Sequence, residues 1–175
     1  MKIEELHQIF LQCRSVCTDT RKIQKNDLFF ALKGDNFNGN TYANYALKLG
    51  AKYAIIDDPE FDVSEETILV NNALDALQKL ASFHRNYLKV PILAITGSNG
   101  KTTTKELINT ILSQNYKTTA TIGNLNNHIG VPLTLLSMTK DTEIGIVEMG
   151  ANHQKEIEFL SSIAQPDYGY ITNFG

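Results

Sequence analysis

Ile92-Leu93-Ala94-Ile95-Thr96-Gly97-Ser98-Asn99-Gly100-Lys101-Thr102-Thr103-Thr104-Lys105-Glu106 opens on an apolar run, turns through two glycines and continues into a lysine and three threonines. Ile92, Leu93, Ala94 and Ile95 have the composition of a buried strand, and residues 102–112 carry Leu107, Ile108, Ile111 and Leu112 at helical spacing. Strand, glycine turn and helix in that order make an anion site out of backbone. Gly97 and Gly100 lack Cβ, so the chain can turn sharply and bring its amide hydrogens together, and the helix adds its positive N-terminal end. In such a site Ser98 and Asn99 complete the turn and Lys101 supplies a full charge for β- and γ-phosphates. Thr102 offers a hydroxyl oxygen to Mg2+, and Thr103 and Thr104 can satisfy helix-start donors. The general phosphate-loop pattern places its first glycine where this chain has Ile95, which leaves a tighter Gly97-x-x-Gly100-Lys101-Thr102 loop. Spacing alone therefore reaches an NTP-binding loop, set against a glycine turn that merely precedes a lysine. Lys105 reads as a solvated helix residue.

Downstream, Val131-Pro132 suits a helix start, residues 144–147 a buried strand, residues 155–162 a helix and residues 168–172 another strand. Upstream, Ile3, Leu6, Ile9 and Phe10 give residues 2–12 one helical face, and residues 27–32 read as a strand running into a turn at Lys33-Gly34-Asp35. Thr41 is placed to cap a helix over residues 42–49 that Gly50 ends; residues 52–56 and 67–70 read as strands. Asn72 is placed to cap a helix that runs until Lys89-Val90-Pro91. A domain boundary is expected near residue 88, giving domains at 1–88 and 89–175. Alternating strands and helices predict an α/β fold with a mostly parallel sheet and ligand chemistry at the carboxyl ends of its strands.

Apolar residues at 42% and charged residues at 20% are those of a folding chain, not a disordered one. With 19 acidic against 16 basic side chains and no basic run, no electrostatic footprint for nucleic acid exists. No segment approaches the roughly 18 continuous apolar residues of a membrane span, and the first residues lack a secretory pattern, so a cytoplasmic protein without a membrane partner is expected, as a monomer. Cys13 and Cys17 are the two cysteines and read as reduced thiols sharing a helix-end face.

Residues 95–106 resemble the ATP loop of the Mur ligase family, whose glycine frame is shortened in the same way. Gly123-Asn124-Leu125-Asn126-Asn127-His128-Ile129-Gly130-Val131-Pro132-Leu133-Thr134, Glu148-Met149-Gly150-Ala151-Asn152 and Ile171-Thr172-Asn173 resemble the branch that adds D-alanyl-D-alanine. Thr18-Asp19-Thr20-Arg21-Lys22 and residues 27–34 resemble the family's uridine-nucleotide domain. Two departures stand out: Asn38-Gly39-Asn40 replaces the usual Asp-Gly-His, and His128 sits where glutamate is common. The resemblance implies a small mixed α/β domain binding the uridine nucleotide, followed by the first part of a P-loop-like, mostly parallel ATPase domain. It further implies ATP and Mg2+ as cofactors, UDP-N-acetylmuramoyl-tripeptide and D-alanyl-D-alanine as partners, and an acyl phosphate between them. On that pattern the chain looks truncated and inactive by itself. A neighbouring branch, a folate-glutamate ligase, or a nucleotide-binding module without turnover are the competing readings.

The resemblance gives Lys101 and Glu148 the chemistry, with Thr102 and Glu148 on Mg2+. It gives Asn126 and Thr134 contacts near the γ-phosphate and the acceptor carboxylate, and Thr18, Asp19, Thr20 and Arg21 contacts to uracil and diphosphate. From the residues alone, each keeps a plainer alternative. Glu148 is equally a solvated strand-end carboxylate; Asn126, Asn127 and Thr134 can cap a helix; residues 18–21 can be a turn with a surface ion pair. Asn152 and His153 are placed to cap the helix that follows, His128 to make a local polar contact, and His7 and His84 to be surface or satisfied structural residues.

Overall fold

Each run of alternating apolar strand and amphipathic helix closes its own parallel sheet. The computed structural model describes residues 1–174 and divides into two units, with the division between Leu80 and Ala81.

In the first unit, α1 (Ile3–Phe10) precedes β1 (Val16–Cys17) and β2 (Leu28–Phe30). A short antiparallel hairpin follows, β3 (Lys33–Gly34) with β4 (Phe37–Asn38), then α2 (Ala43–Lys48), β5 (Tyr53–Ile56), β6 (Thr67–Leu69) and the start of α3 (Ala73–Leu88). The sheet order is β1-β2-β5-β6, all parallel. Leu28, Phe29 and Phe30 are all buried, so this strand is apolar on both faces, as a strand in a parallel sheet must be. Phe29, Ala54 and Ile56 pack with Ala43 and Ala46 of α2; the small alanines let the helix lie close to the sheet.

Several local expectations change. Residues 33–38 form a hairpin where a simple turn was expected. Thr41 does not cap α2: its hydroxyl donates to Asn38 O, and the cap position is Tyr42. Asn72 does cap α3, accepting from Asp75 N at 2.8 Å. Cys17 lies in β1 and Cys13 beyond the end of α1, so the two share no helix face; burial pushes the Cys13 thiol up to about 11. Asn40 is fully buried and exchanges two hydrogen bonds with Asp57, one through each amide atom. The departure at Asn38-Gly39-Asn40 thus serves the core.

In the second unit, β7 (Ile92–Thr96), α4 (Lys101–Leu112), β8 (Thr118–Ala120), α5 (Gly130–Leu136), β9 (Ile144–Glu148), α6 (Glu156–Ala164) and β10 (Tyr168–Ile171) build a second parallel sheet of order β10-β7-β9-β8. The expected α/β class with parallel sheets is what the chain forms. β8 has no counterpart in the sequence reading: Thr-Thr-Ala is too short and too polar to stand out. His84 is buried, with Nε2 at 3.0 Å from Met138 O, a satisfied structural histidine. Among the described residues, no helix is long and apolar enough to cross a membrane.

Register decides what meets at the sheet edge. Ile95 of β7 pairs with Glu148 of β9, and Thr96 with Ile171 of β10. Three strands therefore end together, and the turn at residues 97–100, the Glu148 carboxylate and Thr172-Asn173 share one rim.

Candidate functional site

The loop leaving β7 is shaped by two glycines with different duties. Gly97 has φ of +130°, and a Cβ there would run into Thr172 Oγ1 and approach the Asn173 backbone at 3.0 Å. Its lack of a side chain thus serves the packing of the loop onto the end of β10 as well as the turn. Gly100 has φ of +78° at the helix cap, and a Cβ there would meet nothing. That open space, beside the exposed Ser98, Asn99 and Gly100, is where an anion can approach the loop. Because the cap is glycine, no side chain closes the start of α4, and Thr104 N bonds back to Gly100 O. Asn173 braces the loop from outside: its Oδ1 accepts from Asn99 N at 2.9 Å, and Thr172 Oγ1 donates to Asn99 O. Lys101 folds over the turn, donating to Gly97 O at 2.7 Å and Ser98 O at 3.3 Å. Its ammonium is held by neutral carbonyls and is available for exchange onto a phosphate.

Gly97→Ala is expected to cost about 2 kcal/mol, from left-handed strain plus the collision with Thr172. By circular dichroism this is a fall in Tm of about 4–8 °C; an unchanged Tm would show that the loop can rearrange at will.

Glu148 is buried at 1% exposure. Its Oε1 accepts from Thr102 Oγ1 at 3.2 Å and from Asn126 Nδ2 at 2.8 Å, and its backbone N–H donates to Thr121 Oγ1 at 2.9 Å. Oε2 has no hydrogen-bond partner and is the only such buried side-chain atom among the described residues. A buried carboxylate oxygen without a donor calls for a cation. The residues fit Mg2+, since the Thr102 hydroxyl and the Glu148 carboxylate are both hard oxygen donors. A hydroxyl and one carboxylate, completed by phosphate oxygens and water, is the set this ion takes beside a nucleotide.

The two asparagines part company. Asn126 grips Glu148, while Asn127 Oδ1 accepts from Ile129 N and Gly130 N and so prepares the start of α5. Thr134 is buried at 4% exposure, donating to Gly130 O at 3.0 Å with Thr121 Oγ1 at 3.4 Å. It stands in the layer behind Glu148. Beside Lys101 opens a cavity of about 470 Å³ whose wall includes Asn126, His128, Asn152, Glu156 and Phe159. Here the expected capping is reversed: Glu156 Oε2 accepts from Asn152 N at 2.6 Å and His153 N at 3.0 Å. These amide bonds, Asn152's first, hold the Glu156 carboxyl below its usual range.

In the first unit, Thr18, Asp19, Thr20 and Arg21 follow the carboxyl end of β1 and line a cleft of about 490 Å³ with Phe29, Phe37 and Tyr42. Asp19 holds Arg21 through both carboxylate oxygens at 2.9 and 2.8 Å. The Arg21 side-chain bonds, with its backbone N–H, bring the Asp19 carboxyl down to about 2. Phe37 and Tyr42 stack at 5.3 Å and stay 53% and 41% exposed. Neither aromatic was singled out in the sequence; the signal was two aromatic residues flanking a glycine turn, where a core position is not expected.

Two family models match the sequence: "Mur ligase family, catalytic domain" over residues 12–85 and "Mur ligase middle domain" over residues 95–175. The UDP-N-acetylmuramoyl-tripeptide–D-alanyl-D-alanine ligase of Bacillus subtilis (strain 168) is 43% identical over 162 residues, covering 91% of this chain and 35% of that protein. The crystal structure of MurF from Acinetobacter baumannii superposes with a TM-score of 0.85 at 34% identity, over 99% of this chain and 41% of that one. That of the MurF ligase from Thermotoga maritima in complex with ADP gives 0.77 at 32% identity, over 90% and 36%. The chain thus spans little more than a third of the length of the curated relatives it matches.

Proposed function

Because the chain belongs to the Mur ligase family, we propose that residues 1–88 hold the UDP-linked substrate and residues 89–175 begin the ATP-binding domain of a D-alanyl-D-alanine-adding ligase. The observation that carries this reading is the Glu148 Oε2 left without a partner beside Thr102 and an exposed glycine turn. It supports a site for a metal-bound triphosphate over one for a free anion.

In the proposed reaction an oxygen of the tripeptide carboxylate attacks the γ-phosphorus, the bond to the β–γ bridging oxygen breaks, and ADP leaves. The dipeptide nitrogen then attacks the acyl carbon, phosphate departs and the nitrogen releases a proton. Loop amides and the Lys101 ammonium hold the phosphoryl oxygens in line and offset their charge. Thr102 and Glu148 would hold Mg2+, which would supply further charge neutralisation there. Asn126 fixes the Glu148 carboxylate from one side and reaches the cavity on the other, next to where the substrate carboxylate must sit. Thr134 acts through the layer behind it.

For the nucleotide end of the substrate, the Phe37–Tyr42 pair offers an apolar surface to a planar base, and Arg21, oriented by Asp19, offers its guanidinium to the diphosphate. UDP titrated calorimetrically is expected to bind about tenfold more weakly to Arg21→Ala and to Phe37→Ala. Affinity unchanged in both variants would reject this cleft as the uridine site. The ATP reading is tested separately, by the Lys101 and Glu148 substitutions argued below.

A further inference from the structure

Lys105 lies one helical turn beyond Lys101 and is completely buried, against the expectation of a solvated side chain. Its ammonium uses all three donors: Thr121 O at 2.6 Å, Gly123 O at 3.3 Å and the Glu106 carboxylate at 2.9 Å. The two carbonyls belong to the segment that leaves β8, and what that segment touches gives the lysine its meaning. Thr121 N continues the ladder onto Ile146 O, while Thr121 Oγ1 receives the Glu148 N–H. Three residues after Gly123, Asn126 holds Glu148 Oε1 through its side chain and receives the Gly150 N–H on its carbonyl. Residues 121–126 therefore clasp Glu148 from its backbone and from its carboxylate. Lys105 is the donor that ties the clasp to α4, the helix that also presents Thr102 to the same carboxylate.

We propose that Lys105 is a positioning residue for the metal-facing carboxylate: by anchoring the Thr121 and Gly123 carbonyls to α4, it fixes the distance between Glu148 and Thr102. An apolar side chain of similar length would leave the buried Thr121 carbonyl without a donor and release the part-buried Gly123 carbonyl to water, and the segment would have to move toward water to satisfy the first. The metal role rests on the function proposed above; the clasp does not.

The test uses Lys105→Met, which keeps the unbranched stem to within one atom and removes the donors, and Lys105→Gln, which keeps a donor without charge. Amide hydrogen exchange by NMR is expected to accelerate about tenfold at Glu148 and Gly150 in the Met variant, relative to Ile146 and Val147 of the same strand, with Gln falling between Met and wild type. In ATP titrations, the affinity gained on adding Mg2+ is expected to drop about tenfold, while affinity for ATP in EDTA stays within about twofold. Exchange that is unchanged, or that rises equally at Ile146 and Val147, overturns the proposal. So does a loss of ATP affinity of equal size with and without Mg2+. If the Met variant does not fold, the Gln variant carries the same comparison, and a profile identical to wild type overturns the proposal. A wild-type chain without Mg2+-linked ATP binding contradicts the proposed function instead; the exchange measurement needs no ligand and still decides the role of Lys105.

Discussion

Lys101→Ala is expected to lower the affinity for Mg·ATP by about 100-fold, with the circular dichroism spectrum retained. In the free protein the ammonium donates to the Gly97 and Ser98 carbonyls, closing the very turn it is meant to serve. Binding exchanges these neutral acceptors for charged phosphoryl oxygens, and a hydrogen bond between charged partners is worth about 1.5–3 kcal/mol. Two decades of affinity correspond to the upper part of that range, because loop amides and ammonium meet the same ligand. Alanine also frees the turn of its own latch, so the substitution removes the attraction without leaving a buried charge behind. Lys101→Arg is expected to recover only part of the loss, since a planar fork cannot reproduce the point charge over a turn of this size. Calorimetric titration with Mg·ATP decides the matter, and equal affinities for wild type and Lys101→Ala would remove the phosphate reading of the loop.

The contrast between Lys101 and Lys105 shows what a sequence conveys and what it withholds. The apolar run at residues 92–95 and the paired glycines dictate strand, turn and helix by local chemistry, and the loop was legible for that reason. Glu148 was legible as a strand-end carboxylate because residues 144–147 are apolar. The apolar face of α4 was misjudged: Leu107 and Ile111 are 60% and 69% exposed, while Lys105 is buried. The periodicity held a hint, since Lys105, Ile108 and Leu112 fall on one helical face. A lysine on that face finds its acceptors only in residues 121–123, which are distant in sequence and follow a strand of three residues. The unpartnered Glu148 oxygen was likewise out of reach, because it depends on which atoms Asn126 and Thr102 take. Phe37 and Tyr42 came together only through the hairpin, which local patterning had reduced to a turn.

Glu148→Gln is expected to leave the protein more stable and to abolish the linkage between Mg2+ and ATP binding. The carboxylate is almost wholly enclosed, with donors on Oε1 and none on Oε2. A buried charge so incompletely paired opposes folding, and exchange for a neutral group of the same shape is expected to stabilise by about 1 kcal/mol. Glutamine keeps an oxygen for Thr102 and Asn126 and places an amide where Oε2 was. That amide also lacks a partner, but a neutral dipole costs less to bury than a charge. A gain of about 1 kcal/mol raises Tm by about 2–4 °C at this chain length. The same exchange removes the carboxylate that meets Thr102 at the start of α4, so ATP affinity should become equal in Mg2+ and in EDTA. Taken together, higher stability with lost metal linkage marks a side chain kept for its chemistry at the expense of the fold. The opposite pairing, a lower Tm with Mg2+ dependence intact, would make Glu148 a structural acceptor for Thr102 and Asn126, and the cation would have to be held elsewhere.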